Sequence, residues 1–92
     1  MTRDPRYKAV KPLVENGQIT LFNQIFVYVP KTIVAADMGI QNIRFNKLKD
    51  HLEEFTLKEL FQLGRLFDLD ERTNNELVLN EYLQEKVKNH NP

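Results

Sequence analysis

Between Val34 and Leu52 the apolar residues form two helical stripes broken by one glycine, and that break limits the folds open to the chain. Val34, Ala35 and Met38 recur at helical spacing and stop at Gly39. Phe45, Leu48 and Leu52 then recur at i, i+3 and i+7. Glycine takes the left-handed conformation that ends a helix at little steric cost. The spacing predicts two short helices joined by a tight turn, near the middle of a 92-residue chain. A chain of this length fits one small domain.

The flanking segments also read as helices. Asp4-Pro5 is a helix start, with Asp as N-cap and Pro at the first helical position. Pro12 then makes residues 5–16 either a kinked helix or a loose arm with a short turn, closed by Asn16-Gly17. Residues 18–29 carry the β-branched and aromatic content of a strand. However, Phe22, Ile25, Phe26 and Val29 share one helical face and Thr20 can cap it, so a helix is expected there. Pro30 forces a boundary and suits the first turn of the next helix. TLKE at 56–59 is a capping box, followed by a face of Leu57, Leu60, Phe61, Gly64 and Phe67. Asp70 caps a last helix with Leu77, Val78, Leu79, Tyr82, Leu83 and Val87 as its apolar contacts. The expected fold is an all-α bundle of five or six short helices. Residues 1–17 form an arm or short helix, 18–88 the domain proper, with a central motif at about 31–50, and 89–92 a tail.

Composition excludes several functions. The chain has no cysteine, which removes disulfides, thiolate metal sites and cysteine nucleophiles. No apolar run approaches a membrane span and the first residues lack a signal-peptide core, so a soluble cytoplasmic protein is expected. His51 and His90 stand beside no metal-ligand spacing. There is no nucleophile–base pairing and no glycine-rich phosphate loop. Neither an enzyme, a metal nor a cofactor is expected. The formal net charge is zero, but it is polarised along the chain. Lys31, Arg44, Lys47 and Lys49 face only Asp37 across residues 31–49, whereas residues 50–85 are strongly acidic. A basic face can meet phosphate despite a neutral total.

The central segment meets the demands of a helix-turn-helix. Ala35 is small enough for a second helix to cross closely, Gly39 suits the turn, and Ile40 plugs it. The stretch from Pro30 to Leu69 resembles the phage-repressor (lambda-repressor-like, XRE) helix-turn-helix family. That family's pattern runs roughly T-Q-x-x-L-A-x-x-L-G-(V/I), a polar helix, then P-S-L-x-x-L-x-x-(I/L)-A-x-x-L-x-V. PKTIVAADMGI matches the first part, QNIRFNKLKD occupies the second helix, and FTLKELFQLGRLFDL follows in register without a gap. The departures are Pro30 in place of a Thr or Ser cap, Phe55 in place of Pro, and Gly64 in place of Ala.

The resemblance implies double-stranded DNA binding and transcriptional regulation, with the second helix in the major groove. By position, Gln41, Asn42, Ile43, Arg44 and Lys47 are then the base-reading residues. Asn42 suits adenine N6/N7, Arg44 or Lys47 guanine O6/N7, and Ile43 a thymine methyl. Lys31 and Lys49 are the expected phosphate contacts. Leu79, Tyr82, Leu83 and Val87 are candidate contacts for a two-fold homodimer, against the simpler reading that the tail frays. The alternative function is a protein-interaction module on the same fold.

Overall fold

The computed structural model describes residues 4–90. The first three residues of the expected arm and the last two of the expected tail lie outside the described residues. Among the described residues the chain is all helical: α1 (Val10–Glu15), α2 (Lys31–Met38), α3 (Asn42–Asp50), α4 (Leu57–Leu66) and α5 (Glu71–His90). Three 3-10 segments, Pro5–Ala9, Phe22–Val27 and Leu52–Glu54, connect or precede them. At twenty residues α5 is longer than expected. No helix among the described residues is long and apolar enough to cross a membrane.

Residues 5–16 resolve as a 3-10 turn running into α1. Asp4 caps it by accepting from the Arg6 N–H at 2.9 Å. Pro12 falls in the first turn of α1, where its missing N–H breaks no helical bond. The segment docks firmly: Tyr7 and Val10 are buried, and Tyr7 lies 6.0 Å from the Phe67 ring.

The helix expected over 18–29 shortens to the 3-10 segment Phe22–Val27. Its cap differs too. Thr20 does not cap through its hydroxyl; the Gln24 side chain instead accepts from the Thr20 and Leu21 N–H groups, at 2.7 and 3.1 Å. A short run rich in β-branched and aromatic residues gains little from an α-helix. The tighter turn still buries Phe22, Ile25 and Val29. Pro30 serves as N-cap of α2 with extended ψ, one position earlier than expected.

α2 and α4 end alike. Gly39 is left-handed (φ 74°), and the Gly39 and Ile40 N–H groups donate to Ala36 O and Ala35 O, both at 3.0 Å. This is the Schellman arrangement. At the end of α4, Asp68 takes the left-handed position (φ 55°), while Leu69 N–H donates to Gly64 O at 2.9 Å. A Cβ at position 64 would lie 3.3 Å from the Leu69 carbonyl oxygen, so the alanine of the resembled pattern would require the α4–α5 turn to give by a few tenths of an ångström.

The core gathers Val34, Ala35 and Met38 of α2, Phe45 and Leu48 of α3, Leu63 of α4 with Phe67 at its C-cap, and Leu77 and Val78 of α5. Phe55, Phe22, Phe26 and Phe45 form an edge-to-face chain with centroids 5.8, 5.1 and 5.7 Å apart in turn. Phe55 thus packs on Phe22 where the family pattern has proline. On α4 the buried face is Leu60, Leu63, Gly64 and Phe67. Leu57 and Phe61, expected on that face, are exposed.

Candidate nucleic-acid interface

The orientation of α3 is set from below. Phe45 and Leu48 are buried, Phe45 meets Phe26 edge-on, and Ile40 is half-buried in the turn. With that face committed, Gln41, Asn42, Ile43, Arg44, Asn46 and Lys47 are exposed. Lys31, the first residue of α2, is also exposed. Lys49 differs: it is half-buried, and its Nζ lies 5.7 Å from the centre of the Phe26 ring.

Two of the expected reading residues have acidic partners within the fold. Arg44 Nη1 lies 2.7 Å from Glu59 Oε2, and Lys47 Nζ lies 4.0 Å from Glu54 Oε1. The first pair is the more constrained. Glu59 is almost fully buried at the start of α4. Its Oε1 accepts from the Thr56 N–H at 2.9 Å, while its own N–H donates to Thr56 Oγ1 at 3.1 Å. Burial pushes the Glu59 carboxyl up, but the Thr56 N–H and the Arg44 guanidinium outweigh it and hold the group below the usual range. Sequence reasoning found the capping box and missed the ion pair. The available signal was stoichiometric, since the reciprocal cap uses one carboxylate oxygen and leaves the other for a cation.

Ile43 is 82% exposed in the centre of this face. On α5 the apolar residues divide. Leu77, Val78 and Tyr82 turn to the core, whereas Leu79, Leu83 and Val87 are exposed. Tyr82 therefore parts from the other three candidate dimer contacts; it lines a depression with Lys49 and Lys86 beside the end of α3.

One grouping was not visible at the sequence level. The ligand atoms of His51, Glu53 and Glu54 lie within 4.8 Å of one another. All three residues are exposed and Glu54 also faces Lys47, so nothing fixes them as a ligand set. No protein-family model, curated protein or solved structure matches the chain.

Proposed function

We propose that α2, the Gly39 turn and α3 form a helix-turn-helix that binds double-stranded DNA, in a cytoplasmic transcriptional regulator. The observation that carries this reading is the division of α3: Phe45 and Leu48 are buried, while Gln41, Asn42, Arg44, Asn46 and Lys47 are exposed around its first turns. A helix with that division presents amide and guanidinium donors at groove depth. Lys31 adds a cation for the backbone at the start of α2. The exposed Leu79, Leu83 and Val87 support a two-fold homodimer through α5, which would set two copies of α3 about one DNA turn apart.

The test is an NMR titration with mixed-sequence duplexes at low and moderate salt, paired with the double variant Arg44→Ala/Lys47→Ala. The expected result is a set of shifts confined to residue 31 and residues 41–47. The double variant should lose most of the affinity and flatten the log–log salt slope by about two. A folded parent with silent signals there, or a variant that binds as the parent does, overturns the reading.

A second reading, protein binding on the same fold, is favoured by the exposed Ile43, Leu57 and Phe61 and by the intramolecular pairing of Arg44 and Lys47. It predicts binding that is weakened by Ile43→Ser and insensitive to salt.

A further inference from the structure

We propose that Glu59 is a positioning residue that presents one edge of the Arg44 guanidinium to a guanine in the major groove. This rests on the DNA-binding reading and adds which of the two cations selects guanine and the device that positions it.

The capping box fixes the carboxylate first. Thr56 and Glu59 bond reciprocally, so the Glu59 carboxylate is oriented by the helix start itself and not by its partner on α3. Oε1 is occupied by the Thr56 N–H, and Oε2 points to Arg44 Nη1 at 2.7 Å. Arg44, the third residue of α3, is thereby held at the level of the first turn, where a reading helix reaches base edges.

Which edge remains open then follows from the chemistry of arginine. The guanidinium is planar, with five N–H donors in a fixed fork. With Nη1 committed to Glu59, the Nε and Nη2 donors keep their parallel N–H bonds, and no protein partner bonds either among the described residues. The side chain as a whole is 48% exposed, and the proposal assigns the Nε–Nη2 edge to the base. Two parallel donors match two acceptors lying in one plane, which guanine offers in the major groove through O6 and N7. Lys47 lacks these properties. Its Nζ is 4.0 Å from Glu54, both side chains are well exposed, and an ammonium carries no planar fork. Lys47 supplies charge, and Arg44 supplies the choice of base.

Glu59→Gln separates this role from a merely structural one. Glutamine completes a capping box as glutamate does, so α4 is retained while the charged anchor of Arg44 is lost. The experiment measures binding to duplexes that vary one base pair at a time, by competition, for the parent, Glu59→Gln and Arg44→Lys. The parent should prefer guanine at one position by about tenfold or more. In Glu59→Gln that preference should fall to about two- to threefold, while affinity for random duplex rises, because the charge that neutralises Arg44 is gone. Arg44→Lys should lose the preference as well. A structural role alone would lower both quantities, and a simple autoinhibitory latch would raise both; either outcome overturns the proposal, as does an unchanged guanine preference in Glu59→Gln.

A readout on the free protein separates failure here from failure of the DNA reading. The Arg44 Nε–Hε signal should show a restricted guanidinium in the parent and an averaged one in Glu59→Gln. A freely rotating guanidinium in the parent refutes the anchoring whatever the DNA result. A restricted guanidinium in a parent that binds no duplex refutes the DNA reading, and guanine selection with it.

Discussion

Replacing Glu81 tests how α5 is joined to the rest of the domain. Glu81 is 3% exposed, and both its oxygens go to Asn23, accepting from the backbone N–H at 2.6 Å and from Nδ2 at 2.5 Å. Asn23 is the second residue of the Phe22–Val27 segment, where an N–H has no helical acceptor. Glu81→Ala removes two charge-assisted bonds and strands that donor, a loss of about 2–3 kcal/mol. For a domain of this size that is roughly 10–20 °C in Tm. Glu81→Gln should be much milder, because its oxygen still accepts from the N–H and the Asn23 amide can turn to pair with its NH2. The pH dependence then has a definite sign. Burial raises the Glu81 carboxyl above its usual value, the Asn23 N–H opposes this, Glu85 adds to it and Lys49 opposes it. A raised folded value gives stability that is complete below the unfolded carboxyl pKa and is lost as pH rises through the folded one. The stability of Glu81→Gln relative to the parent should therefore improve between about pH 4 and pH 7. Urea unfolding followed by far-UV circular dichroism at both pH values measures this. An alanine variant within about 0.5 kcal/mol of the parent, or a Gln–parent gap that is flat or moves the other way, refutes the reasoning.

Three further outcomes follow from the fold. Phe45→Ala should cost about 3–5 kcal/mol, enough to leave a domain of ordinary stability near its unfolding midpoint at room temperature, as read by thermal melts. Gly39→Ala should cost about 1–2 kcal/mol from backbone conformation alone, since a Cβ there meets nothing within 4 Å; Gly39→Asn should lose less. Thr56→Ala should cost about 1 kcal/mol through the lost cap. It should weaken the acid sensitivity that Glu59 contributes only slightly, because the backbone N–H at position 56 and the Arg44 guanidinium both remain. The Glu59 carboxyl is held low, so its stability is present above the unfolded carboxyl pKa and is lost as pH falls through the folded one; acid titrations of the parent and Thr56→Ala check the difference.

Local rules made much of the architecture legible. Asp4, Thr56 and Asp70 each accept from the backbone of the helix they begin, as their spacing predicts. Gly39 takes the left-handed turn, and the stripes through Ala35 and Phe45 are buried. What could not be read was set by distant partners. How the 22–27 segment is held depends on burial of Phe22 and Ile25 and on Glu81, 58 residues away. Exposure of Leu57 and Phe61 depends on which turn of α4 meets α2 and α5, and the periodicity of α4 allowed a neighbouring face.

The same distinction governs the candidate interface. That Asn42, Arg44 and Lys47 point outward follows from Phe45 and Leu48 pointing inward, and the sequence carries that. Whether an outward cation is available to a ligand does not follow, because a flexible side chain can turn back to any acid within reach. Arg44 and Lys47 both do so, toward Glu59 and Glu54. The acidic stretch after residue 50 therefore does more than balance the total charge. Part of it folds against the basic helix and screens it, so on the proposed DNA reading a phosphate would compete with Glu54 for Lys47. Glu59 differs in kind, because its orientation is fixed by Thr56 and it engages one nitrogen of three. If the proposed DNA reading holds, lowering local negative charge separates the two sites by base preference: Glu54→Gln should strengthen contact with any duplex and leave that preference intact, while Glu59→Gln should strengthen contact and erode the preference. A single set of competition curves for the two variants distinguishes a screened face from an arranged one.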